Sequence, residues 1–240
     1  MSLSEDQPVR RLSKDQPVRR LAMSFYRPMD YFGGMYNRLV TWFTSGEFCH
    51  CELVVETTPS DIMDAVKSIY QSAQNEEYPP ADCQRIITQI ELKFFDTAFR
   101  KAAQTSDSMV LSFSLLWGQP MTVRVLNETS HDSWFKIPSK QDRVVSLMHG
   151  PDVTIEHYQE TLKFAIEELG KEYDSTGAIC SVLPSWSAEN SNNRRESYFC
   201  SEFCVMAFQR VGFMKNLSAK HTTPNSLYKY VQQNFLEQNS

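Results

Sequence analysis

Apolar side chains recur at Tyr158, Leu162, Ala165, Ile166 and Leu169, a one-sided stripe that predicts a helix from about Ile155 to Leu169. Asp152 or Thr154 can cap it, and Gly170 stops it. The same spacing marks Asn37–Phe43 through Leu39, Val40 and Phe43, and Asp61–Gln74 through Ile62, Ala65, Val66, Ile69 and Tyr70. Tyr198–Val211, closed by Gly212, and Pro224–Phe235 complete the predicted helices. Runs rich in β-branched and aromatic residues predict strands at Phe48–Val55, Arg85–Leu92, Met109–Trp117 and Met121–Leu126. Asn75–Asp82, Asn127–Arg143 and Ser185–Glu196 are polar and breaker-rich, and read as loops. Helices and strands intermixed in this order predict an α+β domain.

A direct repeat precedes that domain. LSEDQPVRRL (Leu3–Leu12) is followed by LSKDQPVRRL (Leu12–Leu21), a nine-residue period. Two copies are fewer than the roughly three that a stacking solenoid needs. Pro8 and Pro17 break any continuous helix. Residues 1–22 are therefore expected to be an exposed arm, and residues 23–240 the folded domain. The paired arginines Arg10, Arg11, Arg19 and Arg20 give the arm a second reading, as a docking peptide for an acidic protein partner.

Composition narrows the classes. Apolar residues make up 41% of the chain and aromatics 12%, a globular rather than a disordered composition. A formal charge of −5 argues against broad nucleic-acid binding, which needs a basic surface. No stretch approaches the roughly 18 apolar residues of a membrane span, and the polar start does not read as a signal peptide. A cytoplasmic location with reduced thiols is expected for the six cysteines, rather than a secreted disulfide framework.

Cys200 opens the predicted helix 198–211. A thiol in a first turn meets unpaired N–H groups and the positive end of the helix dipole, and both favour the thiolate. The alternative is a buried structural cysteine, as free cysteines commonly are. His50 lies on the strand 48–55, where alternation turns Phe48, His50, Glu52 and Val54 to one face and Cys49, Cys51, Leu53 and Val55 to the other. A histidine and a carboxylate on one face form a base and the group that orients it, the arrangement a cysteine nucleophile uses. The alternative for His50 is a histidine satisfied in the core or at the surface. Cys49-His50-Cys51 also looks like a metal cluster, but alternation separates His50 from both cysteines, and no metal or cofactor is expected.

Four segments resemble a known family. NRLVTWFTSGEFCHCELVV, LGKEYDSTGAI, SYFCSEFCVMAF and HTTPNSLYKYV are similar, in this order, to the His-bearing, G-x-x-Y-D, Cys-bearing and T/S-P-x-x-L segments of permuted, NlpC-type papain-like proteins. These occur in bacteria, phages and large DNA viruses including poxviruses, and in the lecithin:retinol acyltransferase-like group. The resemblance implies a circularly permuted papain-like fold, with a central antiparallel sheet packed on helices, the Cys at a helix N-terminus and the His on a strand.

It also implies roles: Cys200 as nucleophile, His50 as base and Glu52 as orienter, with Ser112, Ser114 or Gln119 as alternatives for the third part. Glu202 is read as structural. Tyr173 and Asp174 shape the approach to the Cys helix, and an insert spans about 57–107. The implied chemistry is that of a thiol hydrolase or acyltransferase, working on a peptide, amide or lipid-ester substrate through a Cys200 acyl-enzyme. The alternative is a non-catalytic assembly or virion protein that keeps the fold and makes a virion contact through its N-terminal arm.

Overall fold

The computed structural model describes residues 20–27, 46–105, 108–126, 143–148, 154–181 and 197–236. A five-stranded antiparallel sheet stands at its centre, in the order β4-β3-β2-β1-β5. Its strands are β1 (Arg20–Tyr26), β2 (His50–Thr57), β3 (Met109–Ser114), β4 (Thr122–Leu126) and β5 (Arg143–Met148). Cross-strand partners share a face, and the register pairs Met23 with Leu53, Leu53 with Phe113 and Phe25 with Cys51. These apolar positions are buried in one core cluster with residues of the helices. The intervening positions include a polar row: Ser24 pairs with Glu52, and Ser112 with Arg124, while Ala22 and Val54 continue the same face with apolar side chains. The site described below occupies one end of that polar row.

The helices are α1 (Pro59–Gln74), α2 (Pro80–Phe94), α3 (Thr97–Thr105), α4 (Ile155–Glu167), α5 (Ser175–Cys180), α6 (Cys200–Arg210) and α7 (Pro224–Val231). Capping boxes start α1 (Thr58 with Asp61), α4 (Thr154 with His157) and α7 (Thr223 with Ser226). Beyond α4, Gly170 takes φ +80°, a left-handed turn that suits glycine, and its N–H donates to Met121 O. The chain then forms β6 (Glu172–Tyr173), which pairs in parallel with β7 (Ser197–Tyr198). α1 packs on α4, α4 on α6, and α6 on β2.

Several expectations change. Arg85–Leu92 lies inside α2 and is not a strand: Ile86, Ile90 and Phe94 are its buried positions, one helical turn apart, while Leu92, which a strand would turn to the same face, is exposed. Pro80, expected in a loop, is at the start of that helix, where its missing N–H costs nothing. The segment 57–107 is accordingly helical over most of its described length, as α1–α3. β1 starts at Arg20, ahead of the boundary expected near Met23, and Leu21 and Ala22 are buried in the sheet. The last residues of the second repeat copy thus belong to β1, because Leu21, Met23 and Phe25 continue an apolar alternation across the proposed boundary. The rest of the repeat and the predicted helix 37–43 lie outside the described residues.

Candidate active site

The start of β2 is held in place before His50 is reached. Asn225, in the first turn of α7, accepts from Phe48 N and donates to Phe48 O, both at 2.8 Å. The Phe48 ring packs 4.5 Å from Tyr228 and 5.7 Å from Phe25. Cys49 N donates to Tyr26 O, which joins the ends of β1 and β2. His50 then pairs with Tyr26 across the sheet, their rings 5.5 Å apart. Its side chain keeps 13% of its surface open to solvent.

His50 Nε2 faces Glu52 Oε1 at 3.4 Å, as strand alternation requires of residues two apart. Glu52 is only 2% exposed and is served from three strands. Tyr26 Oη donates to it from β1 at 2.8 Å, Ser112 Oγ from β3 at 2.5 Å, and Arg124 Nη2 from β4 at 2.6 and 2.8 Å. Burial by itself pushes the Glu52 carboxyl up. The hydrogen bond and charge of His50, the Arg124 guanidinium and the Ser112 hydroxyl outweigh it and hold Glu52 well below the carboxylate range.

Cys200 is the first residue of α6, follows Phe199 as N-cap, and is 4% exposed. No side chain caps this helix end, so its first N–H groups and dipole face the region of the sulfur. The Cys51 thiol donates a hydrogen bond to Cys200, burial opposes ionisation, and the His50 imidazole and the Cys51 backbone N–H add to the donors. Together they lower the Cys200 thiol well below its ordinary value. Burial alone depresses the His50 imidazole, but Cys200 and Glu52 on its two sides raise it to about 10. Cys200, His50 and Glu52 thus stand in a row whose surroundings favour a thiolate, an imidazolium and a carboxylate. With Nε2 turned to Glu52, Nδ1 is the ring nitrogen left for the sulfur.

The structure thus brings Cys200, His50 and Glu52 together. Of the alternatives for the third part, Ser112 binds Glu52 rather than His50, Ser114 is buried two residues further along β3, and Gln119 is exposed in the β3–β4 turn. Glu202 is buried within α6. Asp174 caps α5 through Gly177 N at 2.7 Å, and its own N–H donates to Tyr198 O, two residues ahead of Cys200. Ser201 Oγ donates to Thr222 O at 2.6 Å, which ties the Cys helix to the segment before α7.

Tyr26, Arg124 and Cys51 were not foreseen as parts of the site. Arg124 carried a signal, a lone cation in the apolar run MTVRVL. Tyr26 carried none without β1. Alternation does place Cys51 opposite His50, but α6 covers that opposite face, and His50 stands at the strand's end, so both reach Cys200. Among the described residues no group of three or more His, Cys, Asp or Glu side chains is placed to hold a metal ion, and no helix is long and apolar enough to cross a membrane. Comparison with protein-family profiles, with characterised proteins and with solved structures finds no match.

Proposed function

We propose that the protein is a thiol hydrolase or acyltransferase of the permuted papain-like type that its sequence resembles, with Cys200 as nucleophile. The observation that carries this is the single row Cys200, His50, Glu52, with the first at a helix N-terminus and the last held by Arg124. In the proposed reaction the Cys200 sulfur attacks an amide or ester carbonyl, and the oxyanion is met by the backbone N–H at Cys200. His50 gives its proton to the leaving amine or alkoxide, and a thioester remains on Cys200. Neutral His50 then takes a proton from water or from an acceptor alcohol or amine, which releases the acyl group and restores the pair. Glu52 holds the imidazole in the tautomer and orientation that both steps need.

Iodoacetamide labelling at about pH 6 tests the premise, since only a low-pKa thiol reacts quickly there. Cys200 is expected to label well ahead of Cys204, one turn deeper in the same helix. Incubation with an activated ester is then expected to leave an acyl group on Cys200 and none in a Cys200→Ala variant. Equal labelling of Cys200 and Cys204 overturns the proposal.

The burial of Cys200 favours a second reading, an assembly protein that keeps the fold without turnover. In that case Cys200 labels no faster than Cys204, and Cys200→Ala leaves association with partner particles intact.

A further inference from the structure

A second thiol stands beside Cys200. Strand alternation turns Cys51 to the apolar face of β2, where Cys51, Cys200 and Cys204 are buried in the same core cluster. α6 packs directly on β2, and a disulfide bridging them needs roughly 4.4–6.8 Å between its two Cα atoms. Cys51 stands close enough to Cys200 and to Cys204 to act on both, and all three are free cysteines. Acyl transfer by Cys200 and His50 has no step that consumes the Cys51 sulfur.

We propose that Cys51 is the resolving cysteine of a peroxide-sensitive switch, in which a hydroperoxide oxidises Cys200 and Cys51 then closes a Cys51–Cys200 disulfide. The inference rests on Cys200 being the thiolate nucleophile proposed above. In the first step the Cys200 sulfur attacks the terminal oxygen of the hydroperoxide. The S–O bond forms, the O–O bond breaks, and sulfur gives up two electrons. The departing alkoxide or hydroxide takes a proton from His50 and leaves as alcohol or water, with Cys200 as sulfenic acid. In the second step the Cys51 sulfur attacks the Cys200 sulfur. The S–S bond forms, the S–O bond breaks, and the Cys51 proton leaves with the hydroxide as water. A dithiol reductant returns both thiols and is itself oxidised to its disulfide.

The reduced site holds this reaction in check. Burial first, and then hydrogen bonds with Cys200 and Cys204 and their charge, keep the Cys51 thiol protonated well above its ordinary value. Sulfenylation neutralises Cys200, removing part of that restraint at the moment an attacking thiol is needed. Cys49 is the competing thiol, but its Sγ is engaged with Tyr26 O at 3.5 Å. A closed disulfide occupies the nucleophile and ends acyl transfer, while sparing Cys200 from irreversible oxidation.

The test treats the reduced full chain with hydrogen peroxide, blocks the remaining thiols and maps peptides without reduction. The expected product is a Cys51–Cys200 crosslink, accompanied by loss of iodoacetamide labelling at Cys200 that dithiothreitol restores almost fully. In Cys51→Ala the same treatment is expected to carry Cys200 to sulfinic and sulfonic acid, so that dithiothreitol restores less than about one tenth of the labelling. Cys204→Ala is expected to behave as the parent chain does. Cys51→Ser, with near-ultraviolet circular dichroism as a check of packing, repeats the test with a closer replacement. A crosslink to Cys49 or Cys204, or full recovery in both Cys51 variants, overturns the switch. The thiolate reading fails separately, if Cys200 in the untreated parent labels no faster than Cys204.

Discussion

Arg124 reaches across β3 to place one guanidinium nitrogen on both oxygens of Glu52, two strands away, at 2.6 and 2.8 Å. The carboxylate is buried and the arginine side chain is 52% exposed, so the cation meets water on one side and the carboxylate on the other. Glu52 can therefore stay charged inside the sheet without a second buried cation. It holds that charge where His50 needs it.

Removing Arg124 is expected to leave Glu52 buried with His50, Ser112 and Tyr26. Arg124→Ala should cost about 1–3 kcal/mol of unfolding free energy, below the figure for a wholly buried pair because solvent screens the exposed guanidinium. Arg124→Lys keeps the charge but on a shorter stem with a more strongly hydrated head, and should recover only part of the loss. Urea unfolding of the three proteins measures this. Identical midpoints would show that Arg124 does nothing for the buried carboxylate.

The pair of Cys200 and His50 makes stability depend on pH in a calculable way. His50 is raised to about 10, so its contribution is complete below its unfolded value of about 6.5 and lost as pH rises through 10. Cys200 is lowered, so its contribution is complete above its unfolded value of about 8.5 and lost as pH falls through the folded value. Between about pH 6.5 and 8.5 the folded and the unfolded pair each hold one proton, and stability is flat. Above 8.5 the folded pair holds the extra proton, and stability falls by about 1.4 kcal/mol per pH unit. Below 6.5 the unfolded pair holds it, and stability falls at the same rate on acidification. Urea unfolding across pH, measured against a His50→Gln, Cys200→Ala double variant, should show this plateau with two descending limbs. A neutral thiol and imidazole hold the same single proton, so the position of that proton is read separately, from thiolate ultraviolet absorbance lost in Cys200→Ala at neutral pH.

Cys51 is foremost among the groups that lower the Cys200 thiol. Cys51→Ala should therefore shift the pH profile of Cys200 alkylation upward, towards an ordinary cysteine, while His50 still keeps it below that value. Cys204→Ala should shift it far less. An unmoved profile in Cys51→Ala would remove the thiol donor from the account of Cys200 acidity.

What could be read in the chain beforehand follows from the range of the interactions. α1, α4 and α6 were legible because a helix carries its own signal: a buried stripe, a cap and a stop lie within a few turns. Cys200 at the head of α6 and His50 facing with Glu52 are likewise local facts, one of helix position and one of strand alternation. β1 is different. Its buried residues follow directly on a polar repeat, and only antiparallel pairing with β2 and β5 makes it the second strand from one edge. Without β1 there is no Tyr26 in the site, and without the β3–β4 register there is no reason for Arg124 to meet Glu52. Arg85–Leu92 misled because two adjacent isoleucines suit a strand, while the spacing of Ile86, Ile90 and Phe94 suits a helix.

The tether between Asn225 and Phe48 joins residues 177 positions apart and fixes the start of β2. The amide side chain pairs with both backbone groups of Phe48, and each of these is buried with it. Asn225→Ala leaves a donor and an acceptor unpaired in the core, at about 1–3 kcal/mol for each, so a loss of about 2–6 kcal/mol is expected. Asn225→Asp keeps the acceptor for Phe48 N but loses the donor to Phe48 O, and brings a charge into a buried place, so it should not rescue. Gly46→Ala tests the same contact from the other side, since an added Cβ would come within 2.0 Å of the Asn225 side chain. Because His50 follows Phe48 by two residues, both Asn225→Ala and Gly46→Ala should slow Cys200 alkylation at about pH 6 as well as lowering stability. A change that touches only packing, such as Leu227→Ala in α7, should lower stability with a smaller effect on that rate. If the rate followed stability alike in all three, the tether would only support the fold and would have no part in placing His50 against the sulfur.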